Sequence, residues 1–99
     1  MSENLITNWP FDQTPKTAVL TTKRIRKNGY PILLVTHDED DHGWQFLDGY
    51  DADPDMAMIV AFHRIVESDP SLLALVDLPP GWRAWRENSN DSWHKGKIV

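Results

Sequence analysis

The chain has no cysteine, and there is no lysine or arginine between Lys27 and Arg64. Without cysteine, disulfides, thiolate zinc sites and cysteine nucleophiles are excluded, which fits a reducing compartment. No apolar run approaches the roughly 20 residues that a membrane span needs. The first residues, Met1 to Gln13, lack a basic start followed by an apolar block, so they do not read as a signal peptide. A cytoplasmic protein is the expectation, with no membrane partner. The gap in positive charge coincides with a concentration of negative charge. Eight of the fifteen acids lie between Asp38 and Asp55, and the net charge is −5. A broad basic face for nucleic acid is therefore not expected. An acidic patch attracts basic proteins or cations instead.

What is present suits one small domain. The 99 residues leave no room for a second core, and five tryptophans supply large apolar bodies. Residues 1–16 carry two prolines and no period. They read as an irregular arm that Trp9 and Phe11 could pin. Thr17 to Thr22 is β-branched and reads as a strand. Lys23 to Lys27 reads as a solvated turn flank, with Asn28-Gly29 as the turn signal. Tyr30 to His37 reads as a second strand covered on both faces, because Ile32 to Val35 is continuously apolar. Trp44 to Tyr50 alternates and predicts a third strand, antiparallel to the second, with Trp44, Phe46 and Asp48 on one side.

Asp53 followed by Pro54 resembles a helix start: a capping carboxylate, then a proline whose missing N–H has no partner to lose. Met58, Ile59, Phe62, Ile65 and Val66 follow at helical spacing and predict one long helix with a buried stripe. Asp69-Pro70 repeats the cap, predicting a second short helix. Trp82 to Glu87 reads as the last strand. The expectation is an α+β fold: a mainly antiparallel sheet of about four strands, with one long and one short helix on one face. The expected organisation is an arm over 1–16, one domain over 17–93 and a loose tail over 94–99.

The segment Thr36 to Phe46 holds the densest chemistry. His37 and His42 bracket Asp38, Glu39, Asp40 and Asp41. Imidazole with carboxylate suits zinc or a similar ion. Five residues across a loop is not a helical ligand spacing, however, and nothing local fixes a shell. A hairpin loop with solvated carboxylates is the plainer expectation, and no metal or cofactor is assigned. Asp51, Asp53 and Asp55 imitate the first positions of a calcium loop. Met56 and Phe62 then stand where glycine and glutamate belong. His63 has no recognisable nucleophile beside it, so no catalytic residue is assigned. Arginine interleaved with tryptophan in Trp82 to Arg86 could stack on a ligand, but alternation puts Trp82 and Trp85 on opposite faces.

The order of these segments, with Gly43, Trp44, Phe46 and Gly49 forming a Gly-Trp-x-Phe-x-x-Gly string, resembles a family of small bacterial domains of unknown function. Some of its members are described as immunity proteins against polymorphic toxins. The resemblance spans about Thr17 to Trp93. It implies no enzyme activity and no catalytic residues. The four signature residues read as structural: Trp44 and Phe46 share a strand face, and each buried aromatic is worth on the order of 2–3 kcal/mol. The functional expectation is a non-enzymatic protein-binding domain. Its acidic surface, formed by Asp38, Glu39, Asp40 and Asp41 with Asp51 nearby, would meet a basic partner such as a toxin. Two alternatives stand beside it: a metal-binding domain or hydrolase using His37 and His42, and a regulatory domain that self-associates through Trp82, Trp85 or Trp93.

Overall fold

The computed structural model describes residues 9–98, so the first half of the expected arm, residues 1–8, and the last tail residue lie outside the described residues. The chain order is β1 (Ala18–Thr22), α1 (Lys23–Asn28), β2 (Leu34–His37), β3 (Trp44–Leu47), a 3-10 turn (Pro54–Met56), β4 (Ala57–Ala61), α2 (Phe62–Ser68), a second 3-10 segment (Pro70–Leu75), β5 (Trp82–Trp85) and β6 (His94–Lys97). The fold is α+β, with one sheet and a few short helices.

The sheet corrects the expected four antiparallel strands. It has six strands in the order β4-β1-β3-β2-β5-β6. It is mixed, because β1 runs parallel to β3 while every other pair is antiparallel. The parallel pair arises because β1 and β2 are not joined by a tight turn. Helix α1 carries the chain past one strand position, β2 enters beyond it, and the β2–β3 hairpin returns to fill the gap. Lys23 to Lys27 is therefore helix and not a turn flank. Thr22 caps it by accepting from the Ile25 N–H, Ile25 is buried, and Gly29 closes it at φ 75°.

The expected long helix is also corrected. Asp53 does act as a cap, accepting from the Asp55 N–H at 3.0 Å, and Pro54 follows it. Only one 3-10 turn results. Ala57–Ala61 then pairs residue for residue with β1. Backbone hydrogen bonds to β1 replace helical ones, and Ile59-Val60 is β-branched and suits a strand. The helical period is real only from Phe62, where Phe62, Ile65 and Val66 are buried in α2. Met58 and Ile59 leave the stripe, and Ile59 is 62 % exposed.

The expected loose tail is corrected from residue 94. His94–Lys97 forms β6 on β5, and Trp85 lies over Gly96, where a Cβ would meet its ring at 3.4 Å.

One layer of helices and loops covers one face of the sheet. The core there contains Val19, Val35, Trp44, Phe46 and Ala84 from the strands. Phe62, Ile65, Leu72, Leu75 and Leu78 lie above them. The arm belongs to this layer. Phe11 packs 4.7 Å from Phe62 and 5.4 Å from Trp44 between ring centroids, and Trp9 meets Phe62 edge-on at 5.1 Å.

Candidate partner-binding surface

Trp44 and Phe46 point inward and are essentially dry. Their rings lie nearly parallel, 6.1 Å apart, and both contact Phe62. Gly49 adopts φ 85°, a conformation that a side chain resists, as the chain turns out of β3. Gly43 closes the preceding loop, its N–H donating to Asp41 Oδ1 at 2.7 Å.

The His37 and His42 rings meet edge to face, 6.2 Å apart between centroids, in unlike surroundings. His37 is buried and stacks on Trp44 at 4.0 Å. Its Nδ1 lies 2.7 Å from the Leu78 carbonyl, so that nitrogen carries a proton and donates. Its Nε2 lies 3.3 Å from the Asp12 carboxylate, out of line for a hydrogen bond. Asp12 also accepts from Trp44 Nε1 at 3.2 Å. His42 is exposed at φ 60°, and its carbonyl accepts from the Gln13 side chain. Among the described residues no three His, Asp or Glu side chains gather as a metal ion would need. His63 pairs with Glu67 on α2 at 3.0 Å, a surface contact one helical turn apart.

The acids form two groups, and the structure separates them. Asp38, Glu39, Asp40 and Asp41 lie in the β2–β3 loop, at the Trp44 end of β3. Asp51, Asp53 and Asp55 follow the other end, beyond Leu47. Asp51 is therefore not beside the loop acids, because β3 stands between them. In the loop, Asp38 Oδ1 accepts from the Asp40 N–H and Asp41 Oδ1 from the Gly43 N–H, both at 2.7 Å. Glu39, Asp40 and Asp41 are exposed.

Asp48 is the acid that this charge count misleads. It is buried and receives Arg24 Nε at 2.6 Å, Thr22 Oγ1 at 3.1 Å and the Tyr50 N–H at 3.0 Å. Burial pushes its carboxyl up, but the hydrogen bonds from Arg24, Tyr50 and Thr22 together outweigh it. The group titrates below its ordinary range. The same bond is the main cause that raises the Arg24 guanidinium. Arg86 is a second buried hub. It donates to Asp69 Oδ2 at 2.7 Å, the Ile32 carbonyl at 2.9 Å and Ser71 Oγ at 3.0 Å, and its guanidinium lies 4.1 Å from the Trp93 ring centroid.

Among the described residues, no layer covers the other face of the sheet. Directly paired residues point to the same side. The registers therefore put Ile59, Leu20, Gln45, Thr36 and Arg83 in one row, and Leu47, Leu34, Trp85 and His94 in the next. None of these side chains is buried. At the Leu47 end Tyr50, 67 % exposed, stands over the face beside the Arg24 guanidinium. A recess of about 250 Å³ opens there between Leu20, Leu47, Ala57 and Tyr50, with Asp51 and Asp53 on its rim.

The domain is thus a small sheet with one face that no described residue covers and with acids at both ends of it. One protein-family model, the Immunity protein Imm33 domain, matches residues 19–97. The chain belongs to this immunity-protein family. No curated protein and no solved structure matches it. The Imm33 match covers both helices and all six strands save the first residue of β1, Ala18. Sequence reasoning missed Tyr50, Leu20, Leu47 and Ile59 as one surface of this Imm33 domain. Tyr50, beside the glycine turn, and Leu47, opposite Trp44 and Phe46 by alternation, were the available signals; Ile59 was read into a buried helical stripe.

Proposed function

We propose that this Imm33 domain neutralises a toxin by binding it, without chemistry of its own, and that the toxin presents a basic surface. Family membership supports the immunity role. The observation that supports the mode is the uncovered sheet face with carboxylates at each end and no lysine or arginine from Asp38 to Asp55. Tyr50, Leu20 and Leu47 offer apolar contact area, of the aromatic-anchored kind that interface hot spots use. Asp51 and Asp53 flank that area. Asp38, Glu39, Asp40 and Asp41 extend the negative field from the far end, where they would steer a basic partner and reject acidic ones. A cleft built to hold nucleic acid would have the complementary charge.

The buried polar side chains support a non-catalytic reading. Hydrogen bonds of His37, Asp48 and Arg86 tie segments of the fold together.

The test takes as partner a toxin domain sought in the reading frames that neighbour this gene. Co-expression with the wild-type chain should restore growth. Replacing Asp38, Glu39, Asp40 and Asp41 with Asn or Gln should slow association and flatten its salt dependence. Tyr50→Ala should speed dissociation. An association rate indifferent to both salt and the loop substitutions would sink the electrostatic reading.

A further inference from the structure

The two edges of the sheet are unlike. β6, at one edge, reads His-Lys-Gly-Lys, and Lys95 reaches across to the Ala74 carbonyl at 3.1 Å. Lysines and short length are how proteins keep an edge from pairing with another strand. β4, at the other edge, reads Ala-Met-Ile-Val-Ala. It carries no charge and no proline, and among the described residues no strand lies on its outer side.

The hydrogen-bond phase of β4 shows what that edge offers. Phe62 N–H donates to the Thr17 carbonyl at 2.8 Å. Stepping back by twos, Val60 and Met58 turn their backbone groups toward β1. Ile59 and its neighbours at 57 and 61 turn theirs outward. The Ala57 N–H is already bonded to the Pro54 carbonyl. The Ala61 carbonyl, at the helix cap, takes the first bond of α2. The outward groups that remain are the N–H and C=O of Ile59, the N–H of Ala61 and the C=O of Ala57.

That set is self-complementary. We propose that two copies of this chain pair β4 to β4, antiparallel, about a two-fold axis at Ile59. The two Ile59 residues exchange two hydrogen bonds. Each Ala61 N–H donates to the Ala57 carbonyl of the other copy, so all the outward groups are satisfied. The charges agree with this register. Asp53 and Asp55 precede β4, and His63 and Arg64 follow it. Antiparallel pairing about Ile59 sets Asp55 of each copy against His63 and Arg64 of the other. A parallel pairing would put acids on acids. The contact is isologous, as a two-fold requires, and it closes without leaving an edge that propagates. The Ile59 side chains meet on the uncovered face, which then runs on through both copies. This surface is separate from Trp82, Trp85 and Trp93.

The proposal concerns the chain alone, so it stands or falls apart from toxin binding. The experiment is sedimentation velocity on the full chain over a concentration series, with hydrogen exchange at Ile59 and Ala61. The expected result is a dimer whose Ile59 and Ala61 amides are protected. Ile59→Lys should raise the dissociation constant ~100-fold or more, since the two-fold sets the lysines directly opposite each other. Its exposed position should leave the circular dichroism of the monomer unchanged, and the two amides should then exchange freely. Asp55→Arg and Arg64→Asp should each weaken the dimer, and the double variant should recover it. A monomer at every concentration overturns the proposal, as does a dimer that survives Ile59→Lys. Ile59 and Ala61 amides that stay protected in a monomer also overturn it, because residues 1–8 or another segment would then cover the edge. Failure of the double variant to recover the dimer overturns the register.

Discussion

The two faces of this sheet are built from similar residues and have opposite fates. On the covered face Thr21 and His37 are as dry as Val35 and Phe46. On the open face Ile59 and Trp85 are 62 % and 39 % exposed, and none of Leu20, Leu34 and Leu47 is buried. Burial here follows what lies above a residue more closely than the residue's own hydropathy. The covered face can hold polar groups because each finds a partner: Thr21 Oγ1 donates to the Phe46 carbonyl at 2.8 Å, and His37 Nδ1 to Leu78. The open face can hold apolar ones because a protein surface is always partly apolar. On the function proposed above, its contiguous apolar set with an aromatic at the end is the place of contact.

Substitutions test that contrast, and the largest effect belongs to the covered face. Trp44→Ala removes the ring that touches Phe11, His37, Phe46 and Phe62. It should cost about 3–5 kcal/mol in urea unfolding, the usual range for a buried aromatic. A loss below 1 kcal/mol, or none, would mean that the covered layer is not packed as described. Next comes the Arg86 hub beneath Trp93. Asp69→Asn leaves the guanidinium buried with its charge unpaired, and should cost about 3 kcal/mol. Reading the thermal midpoint of the Asn variant beside that of Arg86→Met separates lost pairing from lost packing.

Asp48 sits at the boundary between the faces, and its effect depends on pH. Its folded carboxyl titrates below the ordinary range, so the unfolded chain takes up that proton first as the solution is acidified. The stabilisation is complete above the ordinary carboxylate range. It fades as pH falls through that range toward the folded value. Unfolding curves at a series of acid pH values should therefore show a limb that Asp48→Asn flattens. A limb of unchanged steepness in the variant would assign it to other carboxylates. The smallest stability effect is expected on the open face. Tyr50→Ala should change folding free energy by no more than about 0.5 kcal/mol, as exposed positions usually do, while weakening partner binding. A large loss of stability there would place Tyr50 in the core and remove the contrast.

Much of the local structure was legible in the chain. β1 lies within a residue of the stretch that β-branching marked, and β3 begins where alternation put it, at Trp44, but ends at Leu47, three residues short of the expected Tyr50. The antiparallel β2–β3 hairpin, the inward Trp44 and Phe46, and the Asp53 and Asp69 caps were all readable. The split of Trp82 and Trp85 between faces also followed from alternation, with Trp82 against the core and Trp85 in solvent. What failed was longer in range. Met58 and Ile59 matched a helical period only because a short window cannot separate a strand that runs into a helix from one helix. Lys23 to Lys27 has one apolar residue, Ile25, and one contact cannot announce a helix by period. His94 to Lys97 has almost no apolar character, and it becomes a strand because β5 offers it a partner. The candidate surface was half legible. The acids were visible, but their separation to opposite ends of β3 was not; alternation put Asp48 on the side of Trp44 and Phe46, and only the structure showed that Arg24 holds it.

By itself, then, the order of residues determined the inward aromatic pair, the capped turns and the lack of positive charge across the middle of the chain. Those features depend on neighbours a few positions apart, and such neighbours meet in any compact state. Only the tertiary structure decided that β1 lies parallel to β3 and that, among the described residues, one apolar face stays uncovered and one edge is left bare. Each of those outcomes depends on which distant segments lie side by side, and backbone hydrogen bonding does not distinguish one strand partner from another by sequence.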